Sequence, residues 1–192
     1  IIIGHDHKFG KDRAADFNDL INFGKEFGFE VEEISAQQIN EVSVSSTKIR
    51  NSLLEGNISL ANEYLGYPYV LTGTVVKGNQ LGRTIGFPTA NVNIPEDYKL
   101  IPKNGVYIVT ANVNNKTVFG MMNIGVKPTL GDNKLSIEVH LLDFDSDIYN
   151  QKIQVNILER LRDEQKFESF EALKLQIELD KQNTILYFEN LK

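Results

Sequence analysis

The stretch that decides the fold spans residues 105–124 and reads GVYIVTANVNNKTVFGMMNI. Two runs rich in β-branched and apolar residues flank Asn114-Asn115, a pair that tolerates the positive φ angles of a tight hairpin turn. Similar short runs lie on both sides, separated by clusters of Gly, Pro, Asn and Asp. Regular short strands with such turns predict a closed antiparallel barrel or a sandwich. The predicted strands are 70–76, 105–113, 117–124, 136–142 and 152–161.

The two ends of the chain differ from this β-rich middle. A helix is predicted near the C-terminus, where Ser169 can act as N-cap and Phe170, Leu173 and Ile177 form an apolar face. The first third alternates strands (1–3, 30–34) with helices (18–26, 47–55, 59–65), which is typical of a doubly wound parallel sheet. We therefore predict the rear part of an α/β Rossmann-type domain in residues 1–67 and a mainly β domain with a C-terminal helix in residues 68–192.

Composition narrows the possible functions. The 192 residues include no Cys, which excludes disulfides, thiolate metal sites and a cysteine nucleophile and fits a cytoplasmic protein. The net charge of −6 argues against a nucleic-acid partner and against an oligonucleotide-binding barrel. The apolar runs are too short to cross a bilayer, so no membrane partner is expected. Because the chain opens on Ile1-Ile2-Ile3 without a basic leader, we expect it to be cut inside a strand.

A glycine-rich stretch follows the first predicted strand of the β-rich part. Gly78, Gly82 and Gly86 are spaced four apart, and the basic residue Arg83 lies among them. Glycines let backbone N–H groups approach an anion closely, and arginine supplies a planar fork of donors. A plain turn is the alternative. The stretch matches neither a Walker A loop nor the dinucleotide-binding fingerprint.

Three polar residues further along the chain are candidates for chemistry. Thr89 and Asn91 lie on one side of an extended backbone, and their oxygens suit Mg²⁺ when ATP completes the coordination shell; the alternative is that they cap a turn. In an alternating strand, Glu138 shares a face with Ser136 and His140. Its carboxylate could accept the proton of an attacking hydroxyl, whereas an arbitrary strand Glu would be a solvated surface residue.

The segment from Gly82 to Asn91, GRTIGFPTAN, resembles the ATP-binding signature of the riboflavin kinase family. Four further segments occur in the family order, and together they cover nearly all of residues 69–180. The resemblance implies a small Greek-key β-barrel that uses Mg²⁺ and ATP to phosphorylate the 5′-hydroxyl of riboflavin, giving FMN and ADP. The further segments are GVY (105–107), NIGVKPT (123–129), SIEVHLLDF (136–144) and LRDEQKF (161–167).

The resemblance also implies roles for individual residues. It assigns catalysis to Glu138 and places Arg162 and Phe167 near the flavin, although a solvent-facing Arg and a core Phe are alternatives. Thr89 and Asn91 are the expected Mg²⁺ ligands, and His140 is interpreted as structural. A flavin- or nucleotide-binding regulatory module without turnover remains the alternative function. The expected nucleotide-binding residues are Gly78, Gly82, Arg83, Thr84, Gly86, Pro88, Thr89 and Asn91.

Two segments of the first third, GHDHKFG (4–10) and VSSTKIR (44–50), resemble motifs of the FMN adenylyltransferase domain of bifunctional bacterial FAD synthetases. Ser46, Thr47 and Arg50 lie at a predicted helix N-terminus, where they can donate to nucleotide phosphates. The family's upstream His-x-Gly-His motif has no counterpart in these 192 residues. We therefore expect riboflavin kinase activity from this chain and FAD synthesis only from a full-length parent.

Overall fold

The computed structural model describes residues 1–4, 7–35, 38–39, 42–129 and 132–191. For 38–39, 42–43, 127–129 and 132–134 only the backbone is described. Contacts divide the chain into two compact units, Ile1–Ser45 and Ser46–Lys192.

The first unit contains a parallel strand pair connected by a helix. Strands β1 (Ile2–Gly4) and β2 (Glu32–Ile34) pair in parallel, and helix α1 (Phe17–Phe27) lies between them in the chain. The side chain of Asp16 caps α1, and the helix ends at Gly28 with a φ of 76°. This strand–helix–strand order agrees with the α/β pattern in the sequence. The unit also has a 3₁₀-helix at Lys11–Arg13 and a short antiparallel pair, β3 (Gln38–Ile39) with β4 (Val42–Ser43).

Two helices open the second unit. Helix α2 (Ser46–Glu55) begins one residue earlier than predicted, and α3 (Ile58–Leu65) follows. Leu53 of α2 and Ile58 of α3 are each 1% exposed and belong to the core of the unit, which accounts for the division before Ser46. The boundary predicted at residue 67 marks a change in sequence character and stays a prediction.

The rest of the second unit is a closed barrel of six antiparallel strands, ordered β10-β5-β6-β9-β8-β7 with β7 pairing β10. Three consecutive strands, β7, β8 and β9, are hairpin neighbours, and β10 returns beside β7, which is the Greek-key order. The barrel predicted from the family resemblance is therefore confirmed. The strands are β5 (Tyr69–Val76), β6 (Ala90–Asn93), β7 (Gly105–Val113), β8 (Lys116–Thr129), β9 (Asp132–Leu141) and β10 (Lys152–Arg162).

Strand β6 is missing from the strands predicted by sequence pattern. It has only four residues, and an alternation of apolar and polar residues over so short a segment does not distinguish a strand from a loop. The predicted hairpin is present: Asn114 and Asn115 have φ of 50° and 60°, as a type I′ turn requires. Inward residues alternate along β10, where Ile153, Val155 and Ile157 are each at most 2% exposed.

Two helices complete the second unit. The short α4 (Leu81–Thr84) lies in the glycine-rich stretch, and the long α5 (Phe170–Glu189) ends the chain. The Ser169 hydroxyl accepts from the Ala172 N–H over 3.1 Å, which confirms the predicted N-cap. Helix α5 packs on the barrel through Phe188, whose ring stacks on Phe119 at 3.9 Å. Within the described part of the chain, each helix is too short or too polar to span a membrane.

Candidate active site

Three predicted site residues lie together: Thr89 directly precedes strand β6, Asn91 lies in β6 and Glu138 lies in β9. The Thr89 hydroxyl donates to the Glu138 carboxylate over 2.9 Å, although the two residues are 49 positions apart. Asn91 is the register partner of Glu138, so its side chain projects from the same face of the neighbouring strand. All three side chains are half-buried. Barrel closure therefore brings a hydroxyl, an amide and a carboxylate to one point.

The glycine-rich stretch is folded tightly against this point. The Phe87 N–H donates to the Gly82 carbonyl over 2.8 Å and closes the turn after α4. A Cβ added to Gly82 would overlap the Phe87 carbonyl, and one added to Gly78 would overlap the Asn91 amide. Gly86 has a φ of 88°, a conformation that favours glycine. The three glycines are thus required by close approach or by backbone conformation.

A cavity of about 320 Å³ lies on one side of Thr89. Arg83 and Pro88 contribute to its wall, as does the segment after β9 from Phe144 to Tyr149, including Asp145 and Asp147. The Asp147 carboxylate accepts from the Tyr149 N–H over 2.9 Å, which holds this segment in a turn. The cavity is mostly polar, with one basic and two acidic side chains.

A second cavity, of about 380 Å³, also lies beside Thr89. Thr89 contributes to both cavities, and Glu138 to the second. The wall is largely apolar and aromatic, with a small number of polar groups. The apolar members are Leu81, Ile85, Phe87, Val106, Met121, Met122, Phe167, Phe170, Leu173 and Ile177.

A buried ion pair forms part of the second cavity. Arg162, at the end of β10, donates from Nε and Nη2 to the Asp180 carboxylate of α5 at 2.7–3.1 Å. Asp180 is 3% exposed and also accepts from the Gln176 amide over 3.0 Å. The Arg162 guanidinium lies 5.9 Å from the Phe167 ring. The alternative that Arg162 faces solvent is therefore wrong, because its guanidinium pairs with the Asp180 carboxylate.

His140 is buried beside the same cavity. Its Nδ1 lies 2.8 Å from the Pro88 carbonyl oxygen, and its ring meets Phe87 edge-on with 5.5 Å between centroids. Burial lowers the pKa of His140 below its usual value, the Pro88 carbonyl partly opposes this, and Lys181 lowers the pKa further.

The predicted site residues fall into four groups, and Thr89 belongs to two of them. Arg83, Pro88 and Thr89 contribute to the first cavity, and Gly82, Thr89, Glu138, Arg162 and Phe167 contribute to the second. Gly78, Thr84, Gly86 and Asn91 are absent from both walls as described; the Thr84 hydroxyl instead donates to the Leu81 carbonyl over 2.7 Å. Ser46, Thr47 and Arg50 are exposed on α2. Of GHDHKFG, residues 5 and 6 lie outside the described residues.

Sequence reasoning missed several residues of these cavities. Asp145 and Asp147 occur in the acidic run DFDSD (143–147), which overlaps the end of the recognised motif SIEVHLLDF and was a usable signal. Lys77 directly precedes Gly78 and is not a wall residue of either cavity, but its ammonium lies 6.0 Å from the ring centroid of Tyr149, which lines the first. Asp180 had no local signal, because a single Asp on a helix predicts a surface position.

Oxygen ligands for a divalent cation are present next to the first cavity. The described residues contain no group of three or more His, Cys, Asp or Glu side chains that could hold a metal ion. Mg²⁺ commonly keeps several waters and binds through substrate phosphates with one or two protein oxygens. The Thr89 hydroxyl donates a hydrogen bond to Glu138, and the lone pairs of its oxygen remain available to such an ion. The residues therefore fit a magnesium ion that arrives with a nucleotide.

Comparison with known proteins agrees with this arrangement. The model of the riboflavin kinase family, Flavokinase, matches residues 65–188, and that of FAD synthetase, FAD_syn, matches residues 1–48. The bifunctional riboflavin kinase/FMN adenylyltransferase of Listeria monocytogenes is 42% identical over 193 residues, and that of Escherichia coli K12 is 41% identical over 181. The alignments cover 100% and 94% of this chain but 61% and 57% of those proteins.

The solved structure of a Streptococcus pneumoniae protein described as a macrolide-efflux protein has the same fold. It aligns with a TM-score of 0.85 and 36% identity over 95% of this chain and 59% of that protein. The efflux role in that description concerns the S. pneumoniae protein alone.

The second unit is a small closed Greek-key β-barrel with two cavities that share one threonine in their walls. The chain belongs to the riboflavin kinase family, since the family model covers more than half of it. It spans about three fifths of the length of the bifunctional relatives described above.

Proposed function

We propose that the barrel transfers the γ-phosphate of Mg-ATP to the 5′-hydroxyl of riboflavin, giving FMN and ADP. The observation that carries this proposal is the position of Thr89. It contributes to the walls of both the polar and the apolar cavity, and it donates to Glu138, which lines the second. Phosphoryl transfer needs two substrates that meet in line, and a shared wall residue is where they would meet.

The polar cavity suits a nucleotide that carries a cation. Arg83 can donate to phosphate oxygens, whereas Asp145 and Asp147 would repel a bare triphosphate. A magnesium ion bound to the phosphates removes this conflict, and Thr89 and Asn91 are the side chains we propose to hold it. Bound there, Mg²⁺ would neutralise phosphate charge.

The apolar cavity suits the flat isoalloxazine ring of a flavin. Its wall contains the aromatic side chains of Phe87 and Phe167 and the thioethers of Met121 and Met122. Aromatic and sulfur-bearing side chains pack well on a planar π-system. Its volume of about 380 Å³ lies within the usual range of ligand sites. The ribityl chain would then run toward Glu138.

Glu138 is the proposed general base. As the ribityl oxygen bonds to the γ-phosphorus, the hydroxyl proton passes to the Glu138 carboxylate. The bond between the γ-phosphorus and the bridging oxygen breaks, and ADP leaves with that oxygen. The Thr89 hydroxyl donates to Oε2 and so orients the carboxylate. This requires little covalent work from the protein, as is usual for phosphoryl transfer.

The direct test is riboflavin-dependent turnover, with ADP and FMN both quantified. A kinase forms them in equal amounts and only with riboflavin, whereas the alternative, a binding module without turnover, forms neither. Glu138→Gln should lower kcat by about 10²–10⁴-fold with Mg-ATP affinity nearly intact, because the amide cannot accept the proton. Glu178→Gln, an exposed position on α5, is the matched control and should retain wild-type rates. More than half of wild-type kcat in Glu138→Gln would contradict the assigned role.

We further propose that the full-length parent also adenylylates FMN to FAD. This rests on the FAD synthetase match to residues 1–48 and on the description of the relatives as bifunctional. The roles suggested for Ser46, Thr47 and Arg50 belong to that activity. A cytoplasmic location also stays a prediction.

A further inference from the structure

The backbone that carries Thr89 is held from several sides. Upstream, the Phe87 N–H donates to the Gly82 carbonyl, and Phe87 itself is 6% exposed. Downstream, Ala90 pairs with Val139 in the barrel. Between these anchors, the Pro88 carbonyl points at His140, whose Nδ1 lies 2.8 Å from its oxygen. His140 therefore contacts the one peptide group that directly precedes Thr89.

Only one backbone torsion angle before the Pro88–Thr89 peptide, ψ of Pro88, can rotate easily. The proline ring fixes φ of Pro88, so only rotation about ψ can turn the plane of the following peptide. That plane contains the Pro88 carbonyl and the Thr89 nitrogen, and it sets the position of the Thr89 Cα. A donor that holds the carbonyl oxygen consequently fixes the point from which the Thr89 side chain starts.

The chemistry of the contact determines the histidine tautomer. A carbonyl oxygen can only accept, so Nδ1 of His140 must carry the hydrogen. The lowered pKa of the buried ring agrees with a neutral imidazole at neutral pH. His140 is only 9% exposed, which protects this hydrogen bond from competing water.

We propose that His140 is a positioning residue of the kinase site: its Nδ1–H holds the Pro88 carbonyl and so keeps the Thr89 hydroxyl at its place between the two cavities. The proposal rests on the phosphoryl transfer proposed above. His140 itself need not touch the reacting atoms. Its effect reaches them through the Pro88–Thr89 peptide, and a misplacement of about 1 Å in such a group can lower turnover by about 10²-fold.

Two substitutions separate this role from packing. In His140→Asn the side-chain amide nitrogen is two bonds from Cβ, as Nδ1 is, and it can donate to the Pro88 carbonyl. In His140→Gln the amide nitrogen is three bonds from Cβ, where Nε2 was, although glutamine fills the histidine volume better. Both lose the ring contact with Phe87. Positioning predicts that Asn is the more active variant, whereas simple packing predicts Gln.

The expected results are a kcat within about threefold of wild type for His140→Asn and a loss of about tenfold or more for His140→Gln. His140→Gln should also shift the Mg²⁺ dependence in the same direction as Thr89→Ala. The double variant His140→Gln/Thr89→Ala should be no worse than Thr89→Ala, because both changes remove one function. A glutamine variant as active as the asparagine variant, or fully additive losses, would overturn the proposal.

A measurement that does not depend on turnover distinguishes failure of this inference from failure of the proposed function. Long-range ¹H–¹⁵N spectra report histidine tautomers, and the chain has three histidines, so His140→Asn assigns the signal by its disappearance. The expected tautomer carries its hydrogen on Nδ1. A hydrogen on Nε2 would overturn the proposal even if FMN is made, whereas an Nδ1–H ring without FMN formation would reject the kinase function alone.

Discussion

Replacing Asp180 with asparagine tests whether the second cavity depends on a buried charge pair. The change preserves side-chain shape but removes the negative charge opposite Arg162. The two side chains are 4% and 17% exposed, so the remaining cation cannot be fully solvated by water. The Arg162 guanidinium would then donate to a neutral amide oxygen instead of a carboxylate.

The magnitude follows from the contacts that remain. Breaking a buried ion pair by removing one partner typically costs about 3–5 kcal/mol. Here the cost should be lower, since the asparagine oxygen still accepts one bond and Arg162 also donates to the Asp163 carbonyl over 3.1 Å. We expect a loss of about 2–3 kcal/mol in the free energy of unfolding, which corresponds to about 4–12 °C in Tm for a chain of this size.

Urea unfolding followed by far-UV circular dichroism measures this loss, and steady-state kinetics test its effect on the site. Because Arg162 and Asp180 both contribute to the second cavity, KM for riboflavin should rise more than KM for ATP. Asp163→Asn is the matched control: it removes the same charge from a carboxylate that is 67% exposed and pairs with Arg160 and Lys103, so it should change stability little. A loss below about 1 kcal/mol in Asp180→Asn would refute the reasoning, since it would mean that water already screens the pair.

Four other outcomes are expected. Thr89→Ala and Asn91→Ala should weaken ATP binding in a Mg²⁺-dependent way; a Mg²⁺ titration at fixed ATP decides this, and an unchanged dependence in both would leave these side chains structural only. Gly78→Ala should raise KM for ATP much as Asn91→Ala does, because the added Cβ would overlap the Asn91 amide; a wild-type KM would contradict the close approach. The free energy of unfolding should fall as pH drops below about 6.5, because the lowered pKa of His140 makes the native state bind fewer protons than the unfolded state. Urea midpoints measured at several pH values should depend less steeply on pH in His140→Asn than in the wild type. Supplied with riboflavin and ATP, a protein of these 192 residues should accumulate FMN without FAD, since it lacks a His-x-Gly-His segment. Chromatography separates the two products, and FAD formed at a rate comparable to FMN would contradict this prediction.

Local features were read correctly from the sequence wherever the physical cause is itself local. The Asn114-Asn115 turn needs positive φ at two adjacent positions, and Ser169 satisfies N–H groups within its own first turn. The Greek-key barrel and the candidate roles came from segments whose order resembles one family. Strand β6 escaped because four residues offer too few repeats of an alternating pattern.

The site itself was decided by the tertiary structure. Thr89 reaches Glu138 across 49 positions, His140 reaches Pro88 across 52, and Asn62 donates to Ile157 across 95. The first two contacts depend on the register in which β6 pairs with β9, and the third connects α3 to β10; closure of the barrel sets the register of all strands together. The sequence alone determined which residue types are available for the proposed phosphoryl transfer. Barrel closure determined that one threonine contributes to two cavities, because only pairing between distant strands brings their faces together.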